Sequence, residues 1–236
     1  MAVDLNGSNQ YLNASGLTVG GADFSVAATI ICDTRSVGRG VMGSSGSTAW
    51  FIQIGGDPTN GLAFGTAGDP STFPTGTLRR VVGTYTHSGT TCRLYIDGTL
   101  VASNSSSALA SSTGIDIGRR GDGFAYWDGM IAEVAVWPGL ALSAANAREY
   151  ARGYTPDQIR PDKLRGYWEQ TKNDGYRDMA GGRTLTAFNS PGWRTHPRMI
   201  GRTMAQVGQS AAPEPEDVFE QPIIGRHGVG FGFGSD

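Results

Sequence analysis

Apolar and polar residues alternate in short runs along the first two thirds of the chain, and Gly, Ser, Asp and Pro separate the runs. Alternation with a period of two is typical of β-strands that bury one face. The pattern predicts strands at residues 24–30, 50–54, 80–86, 92–96, 99–102, 115–118 and 130–137. Asp97-Gly98, between two of these runs, is a strong hairpin signal. Short strands with turns between them indicate a two-sheet sandwich or jelly roll.

One helix is predicted at residues 144–151, a segment rich in helix-forming residues. Ser143 is a favourable N-cap and Gly153 supplies the stop. Two further strand-like runs follow at residues 166–169 and 183–188. Strands and helices do not alternate along the chain, so the pattern excludes a parallel α/β fold. The predicted fold class is therefore all-β, a sandwich of two antiparallel sheets with one short helix.

Composition narrows the possible partners. The 236 residues include 36 Gly, and only 17 % are charged, which is unlike a helical bundle. A net charge of −2 gives no electrostatic footprint for nucleic acid or for an anionic membrane. No apolar run approaches the roughly 20 residues of a membrane span, and the first eleven residues lack a secretory signal. We expect neither nucleic acid nor a membrane as a partner.

The two cysteines both occupy inward positions of predicted strands. Cys32 closes the run that begins at residue 24, and Cys92 shares the parity of Leu94 and Ile96. The pattern favours two buried thiols that act as small hydrophobic side chains. A disulfide between them requires Cα atoms within about 7 Å, and the sequence leaves that question open.

Four segments, in order, resemble the laminin-G-like branch of the concanavalin A-like jelly rolls. They are residues 5–12 (LNGSNQYL), 24–30 (FSVAATI), 93–98 (RLYIDG) and 124–137 (FAYWDGMIAEVAVW). The resemblance implies a lectin-glucanase jelly roll of two antiparallel sheets.

The order of the segments differs from that family in one respect. Residues 164–168 (LRGYW) and 183–186 (RTLT) resemble a segment that usually precedes the opening strand, yet here they follow the closing one. The chain is therefore similar to a circular permutant, which implies that Met1 and residue 196 are neighbours. The resemblance implies one domain over residues 1–196 and an extended arm over residues 197–236. The permuted order also resembles a group of virion proteins of tailed bacteriophages.

Because the superfamily includes glycosidases, an enzyme has to be considered. Retaining hydrolysis needs two carboxyl groups about 5 Å apart, and family members of the laminarinase type supply them from one strand as Glu-x-Asp-x-x-Glu. That pattern is missing, and Glu133 and Glu169 each lack a second acid in their own strand. We expect no catalytic residues.

Calcium is held by many relatives of this fold, so acidic loop residues are candidates. They are Asp57, Asp69, Asp122 and Asp128. A hard cation takes six to eight oxygen ligands, and these four acids do not cluster in one loop. We expect no metal site and no cofactor.

Sugar binding would use aromatic side chains as stacking surfaces. Trp50, Tyr126, Trp127 and Trp193 are the candidates. Three of the four fall at strand-motif positions, where packing in the core or at its rim is the favoured alternative. Residues 38–40 and 118–121 resemble exposed loops, which are either solvated or in contact with a partner.

The C-terminal arm is rich in Gly, Pro and Glu and cannot form a core of its own. Its apolar side chains are natural anchors for docking on a neighbouring subunit: Phe219, Ile223, Ile224, Phe231 and Phe233. The arm could instead fold back on its own domain.

These patterns and the resemblance together predict a non-enzymatic structural protein of a tailed-phage virion, assembled in the host cytoplasm. Its expected partners are other capsid or tail subunits and further copies of itself. Capsid decoration is the first role, and a tail or baseplate component is the second. The alternative is a carbohydrate-binding adhesion module that recognises glycans of the host or the environment.

Overall fold

The computed structural model describes residues 2–36, 38–55, 60–170 and 176–195. The anchors of the C-terminal arm and one calcium candidate lie outside the described residues: Phe219, Ile223, Ile224, Phe231, Phe233 and Asp57.

Two antiparallel sheets and one α-helix make up the described part of the chain. In chain order the strands are β1 (Ala2–Asn6), β2 (Tyr11–Val19), β3 (Phe24–Cys32), β4 (Gly40–Ser44), β5 (Phe51–Ile54), β6 (Leu62–Phe64), β7 (Ala67–Gly68), β8 (Arg79–Thr86), β9 (Thr91–Ile96), β10 (Thr99–Ser105), β11 (Ser112–Ile117), β12 (Asp128–Pro138), β13 (Gly166–Trp168), β14 (Thr186–Phe188) and β15 (Gly192–Arg194). Helix α1 (Ala144–Ala151) and a 3-10 turn (Pro156–Gln158) lie between β12 and β13.

The first sheet, sheet A, has the order β10-β9-β8-β3-β12-β1-β15. Strand β13 lies outside this linear order and pairs with a different part of β12 from the part that pairs with β1. The second, sheet B, has the order β14-β2-β11-β4-β5-β6-β7. The predicted all-β sandwich of two antiparallel sheets is confirmed.

The main core lies between the sheets and contains side chains from both of them. Phe24 of sheet A lies at its centre, with its ring centroid 5.4 Å from that of Trp50 and 5.8 Å from that of Phe64. Cys32 and Cys92 are buried in this core as free thiols, as their parity predicted. Burial raises the pKa of Cys32 to about 11, so this thiol stays protonated at neutral pH.

Helix α1 covers the outer face of sheet A. Ser143 caps it as predicted, since its hydroxyl accepts a hydrogen bond from the Asn146 backbone N–H. Ala147 and Tyr150 of the helix pack over Trp137 of β12 in a second apolar cluster. Sheet A is therefore buried on both faces here, whereas no helix in the described ranges packs over sheet B.

The ends of the described domain meet in sheet A. Ala2 pairs with Arg194 and Val3 with Trp193, and β14 joins sheet B beside β2. The late strands therefore complete both sheets, and residues 2 and 194 are neighbours, as a permuted order requires.

Strand β4 was not predicted, because residues 38–40 resemble a loop. Every residue of β4 is buried, so the strand shows no alternation. Two of its residues are Gly because backbone approaches them closely: a Cβ on Gly40 would lie 2.3 Å from the Arg120 nitrogen, and one on Gly43 3.0 Å from the Trp50 oxygen.

Candidate functional site

The outer face of sheet B carries polar and aromatic side chains in adjacent strands. Leu12 and Ile117 point into the core, so their neighbours Tyr11, Asn13 and Asp116 point outward. The register places Asn13 of β2 opposite Asp116 of β11. The side chains on this outer face do not belong to the main core, so they are available for another role.

Asp116 is the buried centre of a polar network on this face, at 0 % exposure. Its carboxylate accepts hydrogen bonds from Asn13 Nδ2 at 2.7 Å and from Arg119 Nε at 2.9 Å. Burial alone would lower the pKa of Arg119, but the charge of Asp116 and its hydrogen bond raise it above its usual value. Arg119 is therefore a permanently charged group, and the carboxylate of Asp116 balances its charge.

Tyr11 is held between two planar groups. The guanidinium carbon of Arg119 lies 3.5 Å from the centroid of the Tyr11 ring. The ring of Phe188, from β14, stacks on Tyr11 at 4.3 Å with an interplanar angle of 3°. Two groups this close cannot share one face of the ring, so Arg119 and Phe188 lie on opposite faces of Tyr11.

Phe188 itself is 36 % exposed, so part of its ring is open to solvent. Tyr126 extends the aromatic surface, with its ring centroid 6.3 Å from that of Tyr11. Tyr11, Tyr126 and Phe188 are called the aromatic platform below.

The segment between β11 and β12 packs against sheet B. Gly121 lies so close to the Ser44 oxygen that a Cβ would come within 1.5 Å of it. Arg120 pairs with Asp122, and this hydrogen bond lowers the pKa of Asp122. Residues 118–121 are therefore half-buried or buried, not a solvated loop, and the same correction applies to residues 38–40.

A polar cavity of about 350 Å³ lies beside the platform. Its lining residues are Asp4, Leu5, Asn6, Gln10, Asp33, Asp128, Ser190, Gly192 and Arg194. We call it the rim cavity.

Arg194 bridges two acids of the rim cavity, at 2.5 Å from Asp33 and 2.9 Å from Asp4. The hydrogen bonds that Arg194 donates to Asp33 and the charge of Asp4 raise the pKa of Arg194. Arg39, behind the cavity, donates to the backbone oxygens of Gly7 and Tyr126. Gly7 has a φ of +68°, and a Cβ on it would lie 2.7 Å from the Asp128 Cβ. Only glycine allows this turn to close over Asp128.

The platform and the rim cavity are joined by the chain itself. Tyr11 directly follows Gln10, and both Tyr126 and Phe188 lie two residues before a cavity residue. Gln10 Nε2 also donates to the Asn189 and Ser190 oxygens, at 3.0 Å and 2.9 Å. The two features therefore form one continuous surface.

The structure corrects the predicted sugar-binding role of two tryptophans. Trp50 and Trp127 are 1 % and 0 % exposed and belong to the main core, so no sugar ring can stack on them. Trp193 is half-buried at the rim, where it stacks on Tyr176 at 5.4 Å. Tyr126 alone of the four candidates lies in the platform.

Sequence reasoning missed Tyr11 and Phe188, and it included Arg119 only as part of the loop 118–121. The alternation around Leu12 carried a signal for Tyr11, since it places that ring on the outward face. No comparable signal marks Phe188, because its position depends on the pairing of β14 with β2.

The acids weighed as catalytic or calcium-binding groups are scattered. Glu133 is fully buried beneath α1, where its carboxylate accepts a hydrogen bond from the Tyr167 hydroxyl. Asp69 lines a different cavity, with Arg79 and Asp97. Within the described ranges, no three His, Cys, Asp or Glu side chains come together as ligands for a metal ion. Nor does any described helix have the length and apolar character of a membrane span.

Comparison with known proteins identifies the sandwich. The family model for the concanavalin A-like lectin/glucanase superfamily matches residues 6–147. A crystal structure of a protein from Bacteroides ovatus, assigned to carbohydrate binding, aligns at 18 % identity and a TM-score of 0.55 over 81 % of this chain and 61 % of its own. Tailspike protein 2 of the Escherichia coli O157:H7 bacteriophage CAB120 aligns at 16 % identity and a TM-score of 0.51, over 71 % of this chain and 26 % of its own.

The chain thus spans about three fifths of the first protein and a quarter of the second. At these identities the two likenesses concern the fold. No curated protein matches the sequence.

Proposed function

This chain belongs to the concanavalin A-like lectin/glucanase superfamily, and from that premise we propose that it is a non-enzymatic carbohydrate-binding module. Its binding surface is the aromatic platform together with the rim cavity. The observation that carries the proposal is the exposed ring of Phe188, which stacks on Tyr11, while Arg119 covers the other face of Tyr11.

Sugar rings present flat apolar faces edged by hydroxyl groups. An aromatic ring with one free face suits the apolar side of such a ring, and nearby polar groups suit its hydroxyls. The stack of Arg119, Tyr11 and Phe188 is preorganised, since Asp116 holds Arg119 from below at 2.9 Å. A rigid surface of this kind loses little conformational entropy on binding.

A non-catalytic role is supported by the position of the acids. Glu133 cannot reach a substrate beneath α1. Two carboxylates beside the platform are engaged with arginines: Asp116 with Arg119 and Asp122 with Arg120. The hydrogen bond with Arg120 lowers the pKa of Asp122, whereas a general acid requires a raised pKa.

Replacing Phe188 by Ala is expected to weaken glycan binding by about 30-fold, because loss of a central aromatic contact costs about 2 kcal/mol. The measurement is a glycan array, followed by calorimetric titration of the strongest ligand. The fold should persist, since an aromatic pair contributes only about 1 kcal/mol.

Leu100→Ala is the matched control. Leu100 is 48 % exposed, on β10 at the edge of sheet A, and its loss should leave binding unchanged. Equal weakening by both substitutions, or no effect of Phe188→Ala on binding, contradicts the proposal.

We propose further that this module is part of a tailed-phage particle, in which the C-terminal arm docks on other subunits. Two features support this. The late position of β13, β14 and β15 matches the permuted order that resembles virion proteins, and a phage tailspike has a similar fold. Capsid decoration and a tail or baseplate position are both compatible with it.

Deletion of residues 205–236 should reduce the amount of this protein in purified virions at least several-fold, measured by quantitative mass spectrometry. The anchors from Phe219 to Phe233 are lost in that deletion. Full-length Phe188→Ala serves as the control and should enter particles normally. Normal incorporation of the shortened chain contradicts the docking role.

A further inference from the structure

The charged residues that line the rim cavity affect whether it can bind neutral or anionic sugars. Three aspartates and one arginine line it, Asp4, Asp33, Asp128 and Arg194, so its lining carries a net charge of −2 (one minus three). We propose, on the basis of the proposed function, that this cavity selects a neutral, hydroxyl-rich sugar unit and rejects anionic sugars.

In the described part of the chain, three arginines of the cavity and the platform are paired with acids. Arg194 is shared by Asp4 and Asp33. Arg119 is paired with Asp116 beneath Tyr11, and Arg120 with Asp122. Recognition of a carboxylate, sulfate or phosphate on a sugar relies on an arginine fork or lysine that is free to bind it.

Arg39 lies outside the lining of the cavity. Its Nη1 donates to two backbone oxygens, those of Gly7 and Tyr126. The turn that follows β1 closes over this guanidinium, as the contact between Gly7 and Arg39 shows. An anionic sugar would therefore meet the aspartates without a compensating bond.

Asp128 is the free acceptor of the cavity. Across the described ranges its carboxylate accepts no hydrogen bond and joins no ion pair. The amides of Asn6 and Gln10 are occupied instead in holding the turn, where Gln10 Oε1 accepts from the Asn6 backbone at 3.0 Å. A carboxylate of this kind accepts hydrogen bonds from neighbouring sugar hydroxyls, and charge-assisted bonds are about twice as strong as neutral ones.

The size of the cavity fits a single sugar unit. Ligand sites range from about 300 to 1,000 Å³, and the rim cavity, at about 350 Å³, lies at the small end. Phe188 and Ser190 are two residues apart. One unit of a glycan can thus stack on the platform while the next enters the cavity.

The test is a glycan array on which each neutral oligosaccharide stands beside its sialylated or glucuronylated counterpart. The unaltered protein should bind the neutral members at least tenfold more strongly. Asp128→Asn keeps the size of the side chain and removes its charge. It should weaken neutral binding by about tenfold and raise the ratio of acidic to neutral binding.

Asp162→Asn is the matched control, because Asp162 pairs with Arg160 at the surface and does not line the cavity. It should change neither affinity nor ratio. Equal binding of acidic and neutral partners, or an unchanged ratio in Asp128→Asn, overturns this inference, while the Phe188→Ala result still stands for the platform. Absence of glycan binding by the unaltered protein overturns the proposed function itself.

Discussion

A chain ended at residue 155 is expected to lose cooperative folding, although the matched family region ends earlier, at residue 147. The shortened chain lacks β13, β14 and β15, which pair with β12, β2 and β1. It also lacks buried side chains of both apolar clusters: Leu164, Tyr167, Trp168 and Leu185.

Burial of a large apolar side chain contributes about 1.5–3 kcal/mol. Four of them together approach the whole stability of a typical domain, about 5–15 kcal/mol. The measurement is thermal unfolding followed by circular dichroism. A chain ended at residue 195 keeps every described strand and should unfold within a few degrees of the full-length protein. A sharp transition in the chain ended at 155 contradicts the assignment of the late strands to the same domain.

Trp50→Ala is expected to lower the free energy of unfolding by about 3–5 kcal/mol, the usual cost of removing a large aromatic side chain from a core. Trp50 is buried against Phe24, 5.4 Å away between ring centroids. Denaturant titration measures the effect.

Two further substitutions separate packing from binding. Trp193→Ala, at the half-buried rim, should cost clearly less than Trp50→Ala. Trp50→Phe keeps an aromatic ring in the core and should retain full glycan binding. Loss of glycan binding in a stably folded Trp50→Phe protein would show that Trp50 takes part in binding after all.

Much of the fold could be predicted because its signals are local. The alternation in β3 and β8, the Asp97-Gly98 turn and the Ser143 cap each lie within a few residues of the element they specify. Strand β4 gave no such signal, because it is buried on both faces. Its two glycines are required by the close approach of the Arg120 and Trp50 backbone, and a local pattern does not show that approach.

The site could be predicted only in part for the same reason. Tyr126 was predicted as a candidate because aromatic residues are suited to sugar stacking, and the structure places it in the platform. Trp50 and Trp127 lie just before β5 and β12, where alternation does not tell which way a side chain points. The stack of Phe188 on Tyr11 requires the register of β14 on β2, and the Arg119 contact requires a turn after β11. A local sequence pattern predicts neither of these two contacts.

The most direct test of the proposed binding surface is a titration of the isotopically labelled protein with its strongest glycan ligand, followed by backbone amide chemical shifts. We expect the largest shifts in residues 10–13, 116–128 and 186–192, and we expect the glycan to stay intact during the titration. Largest shifts around the cavity next to Trp50, in residues 48–51 and 106–110, or the appearance of a shortened glycan, would contradict it.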